Sequence, residues 1–227
     1  MSNHDYTVVI PAYNAEKYIA ETLQSVIAQT IPPQQVIVVD DGSVDATAQI
    51  ARNFSSIVKV ISTPNRGTGA ATMTGVAAVQ TDIVAFVDSD DLWRPHKMER
   101  QLALLNDPDQ TCDAAIARMQ AFGDIQHKNI KEEYSSWSRS TLVVWMHAFR
   151  KVGDIRDMGN GYGEMIDWFS RAKNIGMKFK IVEEPLADRR IHRGSLSYSD
   201  NAKSGQAKDF LKVALLAFQR KKQIKIS

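Results

Sequence analysis

Four short apolar runs, residues 6–10, 36–39, 58–61 and 83–87, constrain the architecture most. Each is too short for a helix and rich in Val and Ile, which favours strands. Between them lie helix-like segments. Residues 16–28 carry Ile19, Ala20, Leu23, Val26 and Ile27 at helical spacing, with Asn14 placed as an N-cap. Residues 45–53 read as a second helix and 69–79 as a third, built from small side chains. Apolar strands alternating with helices predict a mostly parallel sheet covered on both faces.

In such sheets, ligands bind beyond the carboxyl ends of the strands. Three polar clusters fall there: Pro11-Ala12-Tyr13-Asn14, Asp40-Asp41-Gly42-Ser43 and Asp88-Ser89-Asp90-Asp91. They are distant in sequence and predicted to be neighbours in space. Asp88 and Asp90 flank one residue after a buried strand, an arrangement suited to a hard divalent cation shared with substrate phosphates. A solvated turn is the plainer reading of the same residues. Asp41 could accept hydrogen bonds from a base or a ribose, while Ser43 or Asp45 caps the following helix.

Downstream, a helix is expected from Pro95 to about Asn106 and a strand over 114–122. Residues 123–140 are polar and read as a loop or insertion near the ligand edge. A glycine-rich turn at 158–163 leads into a helix over 164–174, ended by Gly176. A last strand is expected over 178–182, followed by a basic polar segment at 189–197. The expected organisation is a single domain over 1–206 and a helical tail over 207–227. That tail could pack on the domain, form a homodimer contact, or rest as a peripheral helix on an anionic membrane. The net charge of +2 gives no footprint for nucleic acid, and the single Cys112 excludes a disulfide framework within one chain. A cytoplasmic setting, at most at the inner face of a membrane, fits these features.

The order and spacing of these clusters, together with Asn65-Arg66-Gly67, Ala71 and Gly75, resemble family 2 glycosyltransferases. The likeness continues more loosely through Gly163-Glu164-Met165-Ile166-Asp167-Trp168 and Arg190-Ile191-His192. It implies a GT-A fold, a nucleotide-diphosphate-sugar donor, a saccharide or lipid-linked acceptor and Mg²⁺ or Mn²⁺. Pro11, Ala12, Tyr13, Asn14, Asp41, Arg66, Gly67, Asp88 and Ser89 would then line the donor. Asp90, with Asp88 and His192, would hold the metal.

Two positions depart from the family pattern. A Glu-Asp pair usually opens the late helix, its Asp serving as the base, and here it reads Glu164-Met165. Glu164 is therefore expected to be the base of an inverting transfer, with Asp167 second. Loss of catalysis with retained donor binding is the alternative. Met73 stands where the family often has Asn. Trp145 and Trp168 read as core residues, with stacking on a sugar as the other reading.

Overall fold

The computed structural model describes residues 5–109, 111–123, 133–135, 137–156 and 163–193. The segment from Ala207 onward lies outside the described residues, and with it the expected tail helix. Strands β1 (Tyr6–Ala12), β2 (Gln35–Asp40), β3 (Val58–Ser62) and β4 (Ile83–Phe86) pair in parallel in the order β3-β2-β1-β4. Their alternating side chains feed two core layers. Val8, Ile10, Val36, Val38 and Ala85 pack with helices α1 (Ile19–Ile27) and α2 (Thr47–Arg52) on one face. Val9, Ile37, Val39, Val84 and Phe86 pack on the other face, with helix α3 (Thr68–Ala77). These strand residues are all fully buried, which is why the runs show no polar alternation.

Small residues let α3 lie close to the sheet. A Cβ at Gly75 would come within 2.4 Å of Val9 Cγ1 and 3.2 Å of Val39 Cγ2. Helix and strands could not hold this separation with any larger residue there.

The second half brings antiparallel pairing into the sheet. Strand β5 (Leu92–Trp93) and helix α4 (Lys97–Leu105) follow the acidic cluster, and strand β6 (Ala114–Gly123) comes next. Strand β7 (Glu133–Ser135) pairs antiparallel with β6, within the segment expected to be a loop. A 3₁₀ turn at Arg139–Thr141 leads to β8 (Val143–Trp145), helix α5 (Met146–Val152), helix α6 (Glu164–Asn174) and β9 (Phe179–Ile191). β8 runs antiparallel to both β4 and β6, whereas β9 is parallel to β6 and carries a bulge near Arg118. The final sheet order is β3-β2-β1-β4-β8-β6-β9-β5.

Several expected boundaries shift. The first helix starts at Ile19 because residues 16–18 form a turn. Asn14 does not cap it: Asn14 adopts φ 49° and its Oδ1 accepts the Val44 N–H. The second helix starts at Thr47, because Asp45 spends its carboxylate on the N–H groups of Thr47 and Glu16. The last strand reaches Ile191, so the start of the segment read as a basic loop is strand. The helix over Glu164–Asn174 and the left-handed Gly176 that follows it stand as expected. No helix among the described residues is long and apolar enough to cross a membrane.

Candidate active site

The carboxyl ends of β1, β2 and β4 lie on one edge, and the loops that follow are stitched to one another. Asn14 N–H donates to Ser43 Oγ (2.9 Å), Ala15 N–H to Thr47 Oγ1 (2.7 Å) and Ala46 N–H to Glu16 Oε2 (3.1 Å). Asn14, Ser43, Asp45 and Thr47 thus serve to hold two loops in one unit. Tyr13 is left half-exposed above it. Pro11 and Ala12 are buried at the end of β1, where Ala12 C=O accepts the Asp41 N–H (2.8 Å).

Asp41 is buried at 3% exposure and takes the backbone N–H groups of Arg66 (3.0 Å) and Gly67 (2.8 Å). Gly67 adopts φ 89°, a region that glycine enters at little cost and that turns its N–H toward the carboxylate. The three donor-site expectations Asp41, Arg66 and Gly67 therefore form one structure. Its acceptor, Asp41, fixes the turn that opens α3; Oδ1 also accepts the Thr63 hydroxyl (3.3 Å), so the spare lone pair is on Oδ2. The Arg66 side chain extends along the exposed face of α3 to Thr74 Oγ1 (3.4 Å).

The acidic cluster after β4 divides its labour. Asp91 is 3% exposed and accepts from Ser140 Oγ (2.6 Å) and from Arg190 N–H (3.1 Å). Its backbone carbonyl, with that of Ser89, accepts the hydroxyl of buried Thr22 on α1. Burial, then repulsion from Asp90 and Asp88, raises its pKa well above the usual carboxylate range. Asp91 is thus a pin that joins the loop to the 3₁₀ turn and to β9. Asp88 and Asp90 stay partly exposed at the edge. Asp90 Oδ2 meets His192 Nε2 at 3.0 Å, and the His192 ring packs on Tyr18 with centroids 4.5 Å apart. Burial, followed by repulsion from Asp88, raises the Asp90 pKa against the opposing pull of His192.

Arg139 is the residue that sequence reasoning missed. It is 5% exposed, donates through Nη1 to Asp88 Oδ1 (2.5 Å), and pairs through Nη2 with Glu164. Burial alone would lower its pKa, but the two carboxylates outweigh burial and raise it. The guanidinium is therefore permanently charged, and it links the acidic cluster to the first residue of α6. Its backbone is held in register by Ser140. That residue's Oγ accepts the Asp88 N–H (3.1 Å), and its carbonyl accepts the indole N–H of Trp93 (2.8 Å). Arg139 lies at the end of a segment without hydrophobic periodicity, so no pattern marked it.

Glu164 and Asp167, expected to share a face of α6, meet different partners. Glu164 faces Arg139 and lies against Gly69 of α3, where a Cβ would stand 2.7 Å from its Oε2. Asp167 is 2% exposed and binds Arg171 Nε (2.8 Å), whose other nitrogens donate to the carbonyls of Val152 and Asp154 (each 2.6 Å). Asp167 thereby fixes α6 against the end of α5. Met165 packs against the second core layer, as does Met73, whose Sδ meets the Ile155 N–H at 3.4 Å. Both departures from the family pattern thus serve the core. Trp168 is fully buried, stacked on Phe149, and Trp145 packs between the two core layers. Both take the core reading.

The donor set suits a hard divalent ion. Asp88 and Asp90 offer oxygens and His192 a nitrogen, and mutual repulsion of the two carboxylates is relieved by a cation. Among the described residues, no three acidic, His or Cys side chains gather closely enough to hold an ion alone.

The fold is that of GT-A enzymes. Its relatives by structure include S. aureus TarS in complex with UDP-GlcNAc (TM-score 0.71, 20% identity, 84% of this chain and 60% of that one). A mannosyltransferase from Pyrobaculum calidifontis, in complex with GDP-Man and Mn²⁺, is similar at TM-score 0.66 and 17% identity, over 84% of this chain and 58% of that one. By sequence, the chain is 32% identical over 218 residues to EpsH of Bacillus subtilis, a provisionally assigned glycosyltransferase, covering 84% of this chain. Glycosyl transferase family 2 matches residues 7–172, and the chain belongs to that family. It spans 62% of the length of EpsH.

Proposed function

We propose that the chain transfers a sugar from a nucleotide-diphosphate donor to an acceptor hydroxyl, in polysaccharide or glycoconjugate synthesis. The observation that carries this reading is a chain of contacts: Asp41 fixes the 66–67 turn that opens α3, Glu164 lies against Gly69 of α3, and Arg139 ties Glu164 to Asp88 of the acidic cluster. In family 2 that edge is where a nucleotide sugar would lie. Pro11, Tyr13, Asn14, Asp41 and the 66–67 turn would hold the nucleoside, and Asp88 and Ser89 the ribose side. Asp90, Asp88 and His192 would hold Mg²⁺ or Mn²⁺, which supplies charge neutralisation to the departing diphosphate. Glu164 would take the proton of the acceptor hydroxyl as its oxygen attacks the anomeric carbon opposite the diphosphate, inverting that centre. Asp167, committed to Arg171, positions the helix rather than the proton.

The ion pair with Arg139 already occupies an oxygen of the Glu164 carboxylate. That observation, with Met165 in the core, favours a second reading in which the chain binds the donor and turns it over slowly or not at all. Donor consumption, with and without acceptors, tests both. Turnover that requires Mn²⁺ and disappears in Asp90→Ala and in Glu164→Gln supports the transferase. Metal-dependent binding without turnover against a broad acceptor panel supports the second reading. Full activity in Asp90→Ala would exclude the assignment of Asp90.

A further inference from the structure

The geometry points to Arg139 as a resident counter-cation that guards the metal site: while it holds Asp88 to Glu164, a divalent ion is disfavoured there until a diphosphate arrives to receive the guanidinium. This rests on the metal-site reading above and adds an order to its assembly. Asp88 Oδ1 lies 2.5 Å from Arg139 Nη1, so one of the two carboxylates proposed to hold the ion already faces a cation. Arg139 is buried and its backbone is clamped through Ser140, so the side chain cannot leave by moving the turn. Its Nε is also buried and has no hydrogen-bond partner, a cost that native sites seldom carry without a use.

Arg139 therefore has spare donor capacity beside the proposed diphosphate position. A cation approaching Asp88 alone meets a fixed positive charge and must break a charge-assisted hydrogen bond. A cation arriving with a diphosphate meets no such loss, because Arg139 exchanges Asp88 oxygen for phosphate oxygen. Metal and nucleotide are thereby coupled through one side chain, and by linkage each strengthens the other equally. Glu164 keeps its hold on the second guanidinium nitrogen throughout.

Titration calorimetry of nucleotide-free protein with Mn²⁺ tests this without any turnover. The variant is Arg139→Met with Glu164→Gln, which avoids leaving Glu164 as a buried unpaired charge. It is expected to bind Mn²⁺ at least about tenfold more tightly than the wild type, within the usual range of coupling between sites. Mere loss of structure cannot produce tighter binding. Arg139→Lys keeps the positive charge and is expected to bind Mn²⁺ as weakly as the wild type. In the wild type, UDP or GDP should raise Mn²⁺ affinity by a larger factor than in the double variant. If the wild type binds Mn²⁺ with UDP or GDP but the double variant shows no gain without them, the guarding role is refuted and the metal site stands. If the Lys variant gains as much as the double variant, positive charge is not the guard, and the proposal again fails alone. If Mn²⁺ binds under no condition, both the site and the guard are refuted.

Discussion

Gly69→Ala separates local helix preference from the needs of the site. Gly69 is buried one residue inside the start of α3, where exchange to Ala contributes at most about 1 kcal/mol of helix stability. The added Cβ would stand 2.7 Å from Glu164 Oε2, 3.7 Å from its Cδ and 3.8 Å from Ile155 Cγ2. Carbon-to-oxygen contacts settle near ~3.3 Å, so the carboxylate must retreat by roughly half an ångström. Its retreat strains the buried pair with Arg139, and hydrogen bonds to charged groups contribute about 1.5–3 kcal/mol each. Only part of that is lost, because a side-chain end can yield, so the two effects come close to cancelling. Urea unfolding should then show a change within about 1 kcal/mol, while donor turnover falls by about tenfold or more as Glu164 leaves its position. A variant stabilised by the full helix-preference gain, with unchanged turnover, would refute the placement of Glu164.

Lys97 offers a second test, away from the chemistry. Its side chain is fully buried, with Nζ 3.9 Å above the Trp93 ring and 3.9 Å from Met98 Sδ. Contact with the ring is worth about 2 kcal/mol when desolvated, less than the several kcal/mol that burying an ammonium costs. Burial accordingly pushes the Lys97 pKa well below its ordinary value. The folded state then binds fewer protons than the unfolded one above the folded pKa, so stability rises with pH in that window. The penalty is complete below the folded pKa and vanishes as pH climbs past the unfolded value of about 10.4. Lys97→Met should be more stable than the wild type at neutral pH by about 1–4 kcal/mol, with the gap closing toward high pH in urea titrations. A constant gap across pH would show that burial does not shift the titration of the Lys97 amine. Asp91→Asn replaces an acceptor of two hydrogen bonds by a group that can accept only one of them, at a cost of about 1–3 kcal/mol. Because Asp91 pins both the 3₁₀ turn and β9, this variant should also weaken Mn²⁺-dependent nucleotide binding. Unchanged nucleotide binding in a destabilised protein would confine Asp91 to the fold.

The parts legible in the sequence are those where one physical demand dominates. Strands buried on both faces leave uninterrupted Val and Ile runs, and their ends place Asp41, Asp88 and Asp90 on one edge. The late helix announces itself through period and a following glycine. What stayed hidden depends on contacts between distant segments. Asn14 looks like a cap, yet Val44 and Ser43 claim it across the loops. β9 is longer than its apolar run because β6 pairs with it as far as Gly123↔Ile191 and β5 pairs with it at Ala187 and Asp188, partners distant in sequence. Arg139 carries no local pattern at all. Its meaning comes only from Asp88, some fifty residues earlier, and Glu164, on another element. Asp167 shows the converse: helical spacing set it beside Glu164, and only Arg171 reveals its structural duty.

On the proposed function, this sheet edge binds a nucleoside diphosphate together with a divalent ion at Asp90. Thermal unfolding with UDP and GDP, each with and without Mn²⁺, tests it in the wild type and in Asp90→Ala. A ligand at a hundred times its Kd contributes about 2.7 kcal/mol to stability, which is readily seen as a raised midpoint. The expected result is a nucleotide-dependent rise that needs Mn²⁺ and is lost in Asp90→Ala. A wild type unmoved by either nucleotide, or a rise that persists without Mn²⁺ and without Asp90, would contradict it.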